Sequence, residues 1–243
     1  MNKLVNKDET FKLPRLYTEY PLFDKGVIPL SSGQAHYLNN VMRRKDGDFV
    51  RLFDGENGEW LGQLKDLTKK SGSIVLSEKL LAQPQNSRRL HLFFTPIKKS
   101  HMDWLIEKAV ELGTTDFHPV LTHNTEVRKI NDERVRSQIF EAAEQCERLE
   151  IPVLHELEKL ETKLASWPQE IPVLSCLERY NAPLIHKAGI GNDVPVAFLI
   201  GPEGGFTAEE KDKIAEKTKA VSLGETILRV ETAVVKALIL LNA

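Results

Sequence analysis

From Leu90 to the end of the chain, short apolar runs alternate with amphipathic stretches, and that alternation leaves few folds open. Leu90 to Thr95, Phe117 to Leu121, Val153-Leu154, Pro172 to Cys176, Val196 to Ile200 and Ala220 to Leu223 read as strands, each too short for a helix. Between them, residues 101 to 112, about Asp132 to Glu147, Glu156 to Ala165, and the segments from Thr207 and from about Glu231 read as helices. In the first of these, Met102, Leu105, Ile106, Ala109, Val110 and Leu112 form one stripe that Gly113 ends. Strands buried on both faces and separated by helices make a mostly parallel α/β sheet.

The chain ahead of Leu90 follows a different period. Phe49 to Phe53, Trp60 to Leu64 and Ser73 to Leu76 read as strands of a small sheet or barrel, with a turn at Lys45 to Asp48. Asp54-Gly55 and Asn57-Gly58 mark a hairpin tip between the first two. The first twelve residues are polar and lack an apolar centre, so they read as a disordered extension and as neither signal peptide nor anchor. The expected division is an extension at 1–12, a small β domain at 13–82, a linker at 83–89 and an α/β domain at 90–243. At 243 residues both domains can bury a core without staples.

Composition narrows the function classes. With 41% hydrophobic and 28% charged residues and no apolar run near the roughly 18 residues of a membrane helix, nothing here is expected to span a bilayer. Two cysteines, Cys146 and Cys176, are too few for a disulfide framework; they read as packing residues in a reducing cytoplasm. A net charge of −2 argues against a protein coated in positive charge. Short basic clusters do occur at Arg43-Arg44, Arg88-Arg89, Lys98-Lys99 and Arg128-Lys129, and become phosphate contacts only if the fold gathers them. The seven histidines show no pairing along the sequence and read as surface or packing residues.

In open α/β sheets ligands bind beyond the carboxyl ends of the strands, where loops offer backbone donors and little side-chain bulk. Two loops fit that place. Ile200-Gly-Pro-Glu-Gly-Gly-Phe206 leaves an apolar strand and enters a helix with the capping pair Thr207 and Glu210. Leu223-Gly-Glu-Thr-Ile-Leu-Arg-Val-Glu-Thr232 is the second. The nucleotide fingerprints are missing, and no His/Cys/Asp spacing suits a metal, so none is expected. Glu203 would repel a polyphosphate yet could accept hydrogen bonds from a cationic cofactor or a hydroxyl. On spacing alone the glycine loop is as readily a tight turn into a helix as a cofactor loop.

Phe198-Leu-Ile-Gly-Pro-Glu-Gly-Gly-Phe206 together with Leu223-Gly-x-x-Ile-Leu-Arg-x-Glu-Thr-Ala233 resembles the signature pair of the bacterial small-subunit ribosomal RNA methyltransferase E family, of the knotted SPOUT class. The likeness extends to Lys98-Lys-x-x-Met-Asp-Trp-x-Ile-x-Lys-Ala-x-Glu-Leu-Gly113, Glu141-Ala-Ala-Glu-Gln-Cys-x-Arg148, Leu13-Pro-Arg-Leu-Tyr17 and His36-Tyr-Leu-x-x-Val-Met-Arg43. The resemblance implies a SPOUT trefoil-knot methyltransferase domain, knotted from about Val173 onward, behind a small PUA-like β-barrel that binds RNA. It also implies S-adenosylmethionine as cofactor, held by backbone groups of Gly201, Pro202, Glu203, Gly204, Gly205, Leu223, Gly224, Ile227, Leu228 and Arg229 after Ile200, with Leu199, Leu223 and Leu228 packed on the adenine. The reaction it implies is methylation of N3 of one uridine in 16S rRNA, within the 30S subunit, in the cytoplasm.

A uracil N3 must lose its proton, so a base, or a cation that stabilises the developing charge on O2 or O4, is required. Arg229, Glu203 and Glu231 are the candidates, Arg229 foremost as an electrostatic or phosphate-positioning group; the alternative is that Arg229 and Glu231 pair and brace the last helix. Arg15, Arg43, Arg44, Lys98, Lys99 and Arg128 are the candidate RNA contacts. The last helix is apolar on nearly all sides apart from Lys236, so it needs two partners, its own sheet and a second subunit; SPOUT enzymes resemble this in being homodimers. Rival readings are a SPOUT enzyme acting on tRNA or on a ribose 2'-hydroxyl, and a PUA-containing RNA-binding or assembly factor without chemistry.

Overall fold

The computed structural model describes residues 7–85, 88–177 and 181–242. The chain divides into two units, residues 1–85 with 143–151 and residues 86–142 with 152–243. The first unit opens on a 3-10 helix, Lys7–Lys12, where the sequence suggested disorder; residues 1–6 lie outside the described residues. This segment is tied down by Arg51, whose Nη2 donates to the Phe11 carbonyl at 3.1 Å.

Strands β1 (Arg15–Tyr17), β2 (Val27–Pro29), β3 (Phe49–Phe53), β4 (Glu59–Lys65) and β5 (Ser73–Leu81) form one sheet in the order β1-β3-β4-β5-β2. Helix α1 (Ser32–His36), with a capping box from Ser31 and Gln34, runs into a π-helical turn at Tyr37–Val41. β1 runs parallel to β3 and the remaining pairs are antiparallel, with Phe53 opposite Glu59 closing the hairpin that the two Asx-Gly pairs announce. Alternate residues of these strands bury Leu16, Ile28, Val50, Leu52, Leu64, Ile74 and Leu76 in one core.

At one end of that core sits a buried charge network. Arg15 Nε donates to Glu59 Oε1 at 2.5 Å, and its two terminal nitrogens donate to the carbonyls of Ala143 (2.7 Å) and Arg148 (2.9 Å). Its guanidinium also lies over the Phe53 ring, 3.6 Å from the centroid. Arg51 bridges Glu59 (3.4 Å) and Glu147 (2.7 Å). The segment 143–151 therefore belongs to the first unit by its hydrogen bonds, and the expected 13–82 domain omits a piece of it. The expected linker at 83–89 is likewise partly built in, since Gln83 donates to the Gly55 carbonyl; Asn86 and Ser87 lie outside the described residues.

The second unit is a seven-stranded sheet whose pairings are all parallel: β6 (Leu90–Phe94), β7 (Asp116–Leu121), β8 (Val153–Leu154), β9 (Glu158–Lys159), β10 (Val173–Cys176), β11 (Val196–Ile200) and β12 (Lys219–Val221). The order is β12-β10-β11-β6-β7-β8, with β9 beside β7. Helices α2 (Lys99–Glu111), α3 (Asp132–Gln145), α4 (Leu160–Ser166) and α5 (Ala208–Lys217) lie between strands, α6 (Val230–Leu241) follows the last one, and a 3-10 turn lies at Ile185–Lys187. The helix expected from Glu156 starts only at Leu160, because Glu158 and Lys159 pair with Val120 and Leu121 as a strand. α6 buries Val230, Glu231, Ala233, Val234, Ala237, Leu238 and Leu241, and packs on α2. Cys146 is exposed rather than packed.

Candidate active site

The strand order reverses at β6. β7 and β8 follow on one side, while β11, β10 and β12 lie on the other, so the chain leaves β6 and β11 in different directions and opens a cleft beyond their carboxyl ends. Pro96, Ile97 and Lys98 line that cleft from β6, and Pro202, Glu203 and Gly204 from β11. Both suspected loops thus end up where a parallel sheet binds ligands, the first after Ile200 and the second after Val221.

The glycine loop is held by its neighbours. Thr207 caps α5 with the expected box, its hydroxyl accepting from Glu210 N while Glu210 accepts from Thr207 N. Asn124, in the loop after β7, donates to the carbonyls of Gly204 (3.1 Å) and Gly205 (2.9 Å). Gly201 is a close approach: a Cβ there would lie 2.5 Å from the Phe206 ring. In the second loop Gly224 has φ +117°, a conformation L side chains rarely adopt, and donates to the Ser222 hydroxyl at 3.0 Å.

The expected site residues separate into groups. Gly201, Pro202, Glu203, Gly204 and Gly205 sit in the first loop, and Leu223, Gly224, Ile227, Leu228 and Arg229 in the second, with Ile227 exposed and Leu223 and Leu228 half-buried. Leu199 and Ile200 are buried beneath them, Leu199 in the core with Phe93, Ala197 and Ile214. Arg229 is exposed at the start of α6, with no side-chain partner among the described residues.

Glu231 does not pair with Arg229. It is 8% exposed and takes His101 instead, whose Nδ1 lies 2.9 Å from Glu231 Oε1; Glu231 Oε2 is buried with no hydrogen-bond partner.

Of the candidate RNA contacts, Lys98 and Lys99 are exposed at the start of α2, with Lys98 Nζ 3.7 Å from Glu126, and Arg128 is exposed with Nη1 3.5 Å from the Thr122 carbonyl. In the first unit Arg43 is exposed in a left-handed conformation and Arg44 half-buried. Arg15 drops out: each of its three guanidinium nitrogens donates inside the first unit, and it is 7% exposed.

Three of the seven histidines come together around Asp116. His91 on β6, Asp116 and His118 on β7, and His155 after β8 occupy one face of the sheet. His155 donates to Asp116 Oδ1 at 3.0 Å and stacks on His118, while His91 Nδ1 lies 3.2 Å from His118 Nε2. His91, Asp116 and His118 bring ligand-type atoms within 4.8 Å of one another, a clustering the sequence did not announce. Asp116 is already taken up by Arg89 (2.7 Å) and the Thr115 hydroxyl (2.7 Å). His91 Nε2 and His118 Nδ1, which a metal site would anchor from behind, have no partner. The cluster reads as a hydrogen-bonded brace of the sheet.

Burial, with the charges of His155 and Lys163, pushes the His118 imidazole down to about 2. Burial works to raise the Asp116 carboxyl, but hydrogen bonds from His155 and Thr115 and the charges of His91 and Arg89 hold it well below the usual carboxylate range. Both groups take up protons more readily in the unfolded chain. Stability is therefore complete above about pH 6.5, the ordinary histidine value, and falls as the pH drops below it, first against His118 and then, below 3.8, against Asp116. Urea midpoints followed from about pH 7 to about pH 5 should lose up to about 1.4 kcal/mol per pH unit for this histidine. His118→Phe should flatten that slope; an unchanged slope would rule out this histidine as its source.

Comparison with known proteins agrees with the geometry. Residues 84–242 match the RNA methyltransferase domain family and residues 30–77 the RNA methyltransferase PUA domain family. The chain is 32% identical over 230 residues to the ribosomal RNA small subunit methyltransferase E of Rickettsia conorii, covering 93% of this chain and 94% of that one. It is 33% identical over 227 residues to the protein of that name from Synechocystis, covering 90% and 74%. The crystal structure of the Neisseria gonorrhoeae ribosomal RNA small subunit methyltransferase E bound to S-adenosylmethionine superposes with a TM-score of 0.82 at 25% identity, covering 93% of this chain and 95% of that one.

Proposed function

The chain belongs to the ribosomal RNA small subunit methyltransferase E family, and from that premise we propose that it methylates N3 of a single uridine of 16S rRNA, U1498 in the usual numbering, using S-adenosylmethionine and acting on the assembled 30S subunit. The observation that carries the reading is that both signature loops leave the carboxyl ends of strands of one parallel sheet, the first of them at its switch point, in a chain that aligns almost end to end with enzymes of that name.

The residues present fit the cofactor. Gly201 presses against Phe206 with no room for a side chain, the Asn124 amide fixes the Gly204 and Gly205 carbonyls, and the second loop offers Ile227 and Leu228 as apolar surface. Glu203 is an exposed carboxylate beside these backbone groups and suits a cationic ligand. When bound, the cofactor supplies a sulfonium-activated methyl group. The protein's share is to hold the uracil in line with that group and to manage the N3 proton and the charge left behind. To Arg229, exposed at the end of the second loop and without a side-chain partner among the described residues, this reading gives the task of meeting the anionic O2 or O4 or the adjoining phosphate.

Lys98, Lys99 and Arg128 in the second unit and Arg43 and Arg44 in the first are the proposed RNA contacts, acting on affinity and its salt dependence more than on base choice. The chain between about Val173 and the C-terminus is read as the trefoil knot. Leu184 bridges Ser222 in parallel, and the turn at Ile185–Lys187 packs on α6, so the segment after β10 runs beside the second loop. A homodimer is proposed to cover the apolar residues these helices leave open, Trp104 on α2 and Ile239 on α6. No helix among the described residues is long and apolar enough to cross a membrane, and the site of action is proposed to be the cytoplasm.

Incubation with methyl-labelled cofactor and either 30S subunits or naked 16S rRNA, followed by nucleoside mapping, tests the reading. Label in N3-methyluridine of 30S subunits is expected, and Arg229→Ala should keep its fold and lose at least about tenfold in single-turnover rate. Label in transfer RNA or in a 2'-O-methyl nucleoside would replace this reading with a different substrate.

A further inference from the structure

The proposed reaction needs an acceptor for the uridine N3 proton, and the loop carboxylates are poorly suited to it. Glu203 is exposed with no group to orient it, and Glu231 is almost wholly buried. We infer that the acceptor is His101, oriented by Glu231, so that the two form a base dyad at the edge of the switch-point cleft; the inference rests on the N3-uridine reading.

Position comes first. His101 lies in the first turn of α2, one turn on from the Lys98 that lines the cleft with Pro202 and Glu203. Glu231 lies in the first turn of α6, two residues past Arg229 and the second loop. α2, which begins at the Pro96 to Lys98 wall of the cleft, and α6, which begins at the second ligand loop, therefore bring an imidazole and a carboxylate to 2.9 Å.

The hydrogen bond sets the chemistry. A carboxylate can only accept, so His101 Nδ1–H donates to Glu231 Oε1, and Nε2 is left with its lone pair free. The His101 side chain is 40% exposed, so Nε2 can be reached by a base, whereas the carboxylate behind it is 10% exposed. Glu231 Oε2 has no other partner, which leaves the full negative charge to stabilise an imidazolium beside it. This is the arrangement in which a neutral histidine gains most from accepting a proton. The side chain that would brace two helices equally well by packing alone is apolar; a buried, half-satisfied carboxylate costs stability, and the dyad gives that cost a use.

In the step, the N3–H bond breaks toward His101 Nε2, the N3 electron pair forms the bond to the methyl carbon, and the carbon–sulfur pair stays on sulfur, which leaves as a neutral thioether. The imidazolium then returns its proton to water. His101 is the catalytic residue here and Glu231 the positioning residue.

The test uses the full chain with 30S subunits lacking the modification. His101→Gln keeps an amide donor for Glu231 but has no base, and His101→Ala leaves space for a free imidazole. Both are expected to lower the single-turnover rate roughly 100-fold, with calorimetric affinity for S-adenosylmethionine unchanged within a fewfold; the melting temperature should hold for His101→Gln and fall for His101→Ala, which leaves the Glu231 carboxylate without its donor. Added imidazole should restore part of the His101→Ala rate, while an equal concentration of a non-imidazole buffer at the same pH should not. A His101→Gln protein of near-normal rate, or a His101→Ala loss that imidazole leaves untouched, overturns the dyad while wild-type N3-methyluridine still upholds the reaction. A wild-type product other than N3-methyluridine overturns both.

Discussion

Alanine at position 201 is expected to cost the protein its methyl donor well before it costs the fold. An added Cβ would lie 2.5 Å from Cε2 and Cζ of Phe206, far inside contact distance, and that ring is half-buried against the core of Phe93, Leu199 and Ile214. Either the ring swings out or the end of β11 moves, and both shift the backbone from Gly201 to Gly205. One overpacked methyl group costs a core about 1–3 kcal/mol, which a domain of this size survives. A displacement near 1 Å in a positioning element costs roughly 100-fold in rate, so single-turnover methylation should fall by that order and calorimetry should show weakened binding of S-adenosylmethionine, with a melting temperature lowered by only a few degrees. Phe206→Leu added to Gly201→Ala should recover part of the affinity by removing the clash. Full affinity in the single variant would mean that this loop does not hold the donor.

The largest loss of stability is expected from Glu59→Ala. Glu59 is 2% exposed and is the buried counter-charge of both Arg15 and Arg51. Its removal leaves two guanidinium groups inside the first unit, one still satisfied by the Ala143 and Arg148 carbonyls and the other by Glu147. Deleting one partner of a buried ion pair costs about 3–5 kcal/mol, a large share of a domain's net stability. Urea unfolding should show the shift, and Glu59→Gln, which keeps two acceptor lone pairs and loses the charge, should fall between. Lys12→Ala, which breaks an exposed pair with Glu9, should leave the midpoint in place. A Glu59→Ala midpoint near that of the native chain would show the network to be dispensable.

Much of the second unit could be read along the chain because its signals are local. A buried parallel strand is a short apolar run, so β6, β7, β8, β10 and β11 stand out, and the Thr207–Glu210 box marks the start of α5 without help from tertiary structure. The ligand end of the sheet follows from the same pattern, and both loops lie there.

Signals that depend on distant partners were harder to read. β9 has two residues and exists only because Val120 and Leu121 lie alongside it, so the helical spacing from Glu156 was misleading. Arg15 carries the same charge whether it faces phosphate or Glu59, and only the parallel pairing of β1 with β3 decides between them. The four-residue brace of His91, Asp116, His118 and His155 spans three strands and has no spacing along the sequence. Asn124 was within reach, since it sits in a polar loop after a strand that ends at the ligand side. His101 falls between the matching positions of the Lys98 to Gly113 motif, and nothing short of Glu231's location would have drawn attention to it.

The first unit draws two stretches of chain, 1–85 and 143–151, separated by more than fifty residues of the second. A polypeptide ending at Gln85 would keep Arg15 and Arg51 but lack the Ala143 and Arg148 carbonyls and the Glu147 carboxylate that satisfy them. The two units are therefore not interchangeable modules. Recombination at the apparent boundary would strand two buried arginines, so the first unit can be exchanged between proteins only together with residues 143–151.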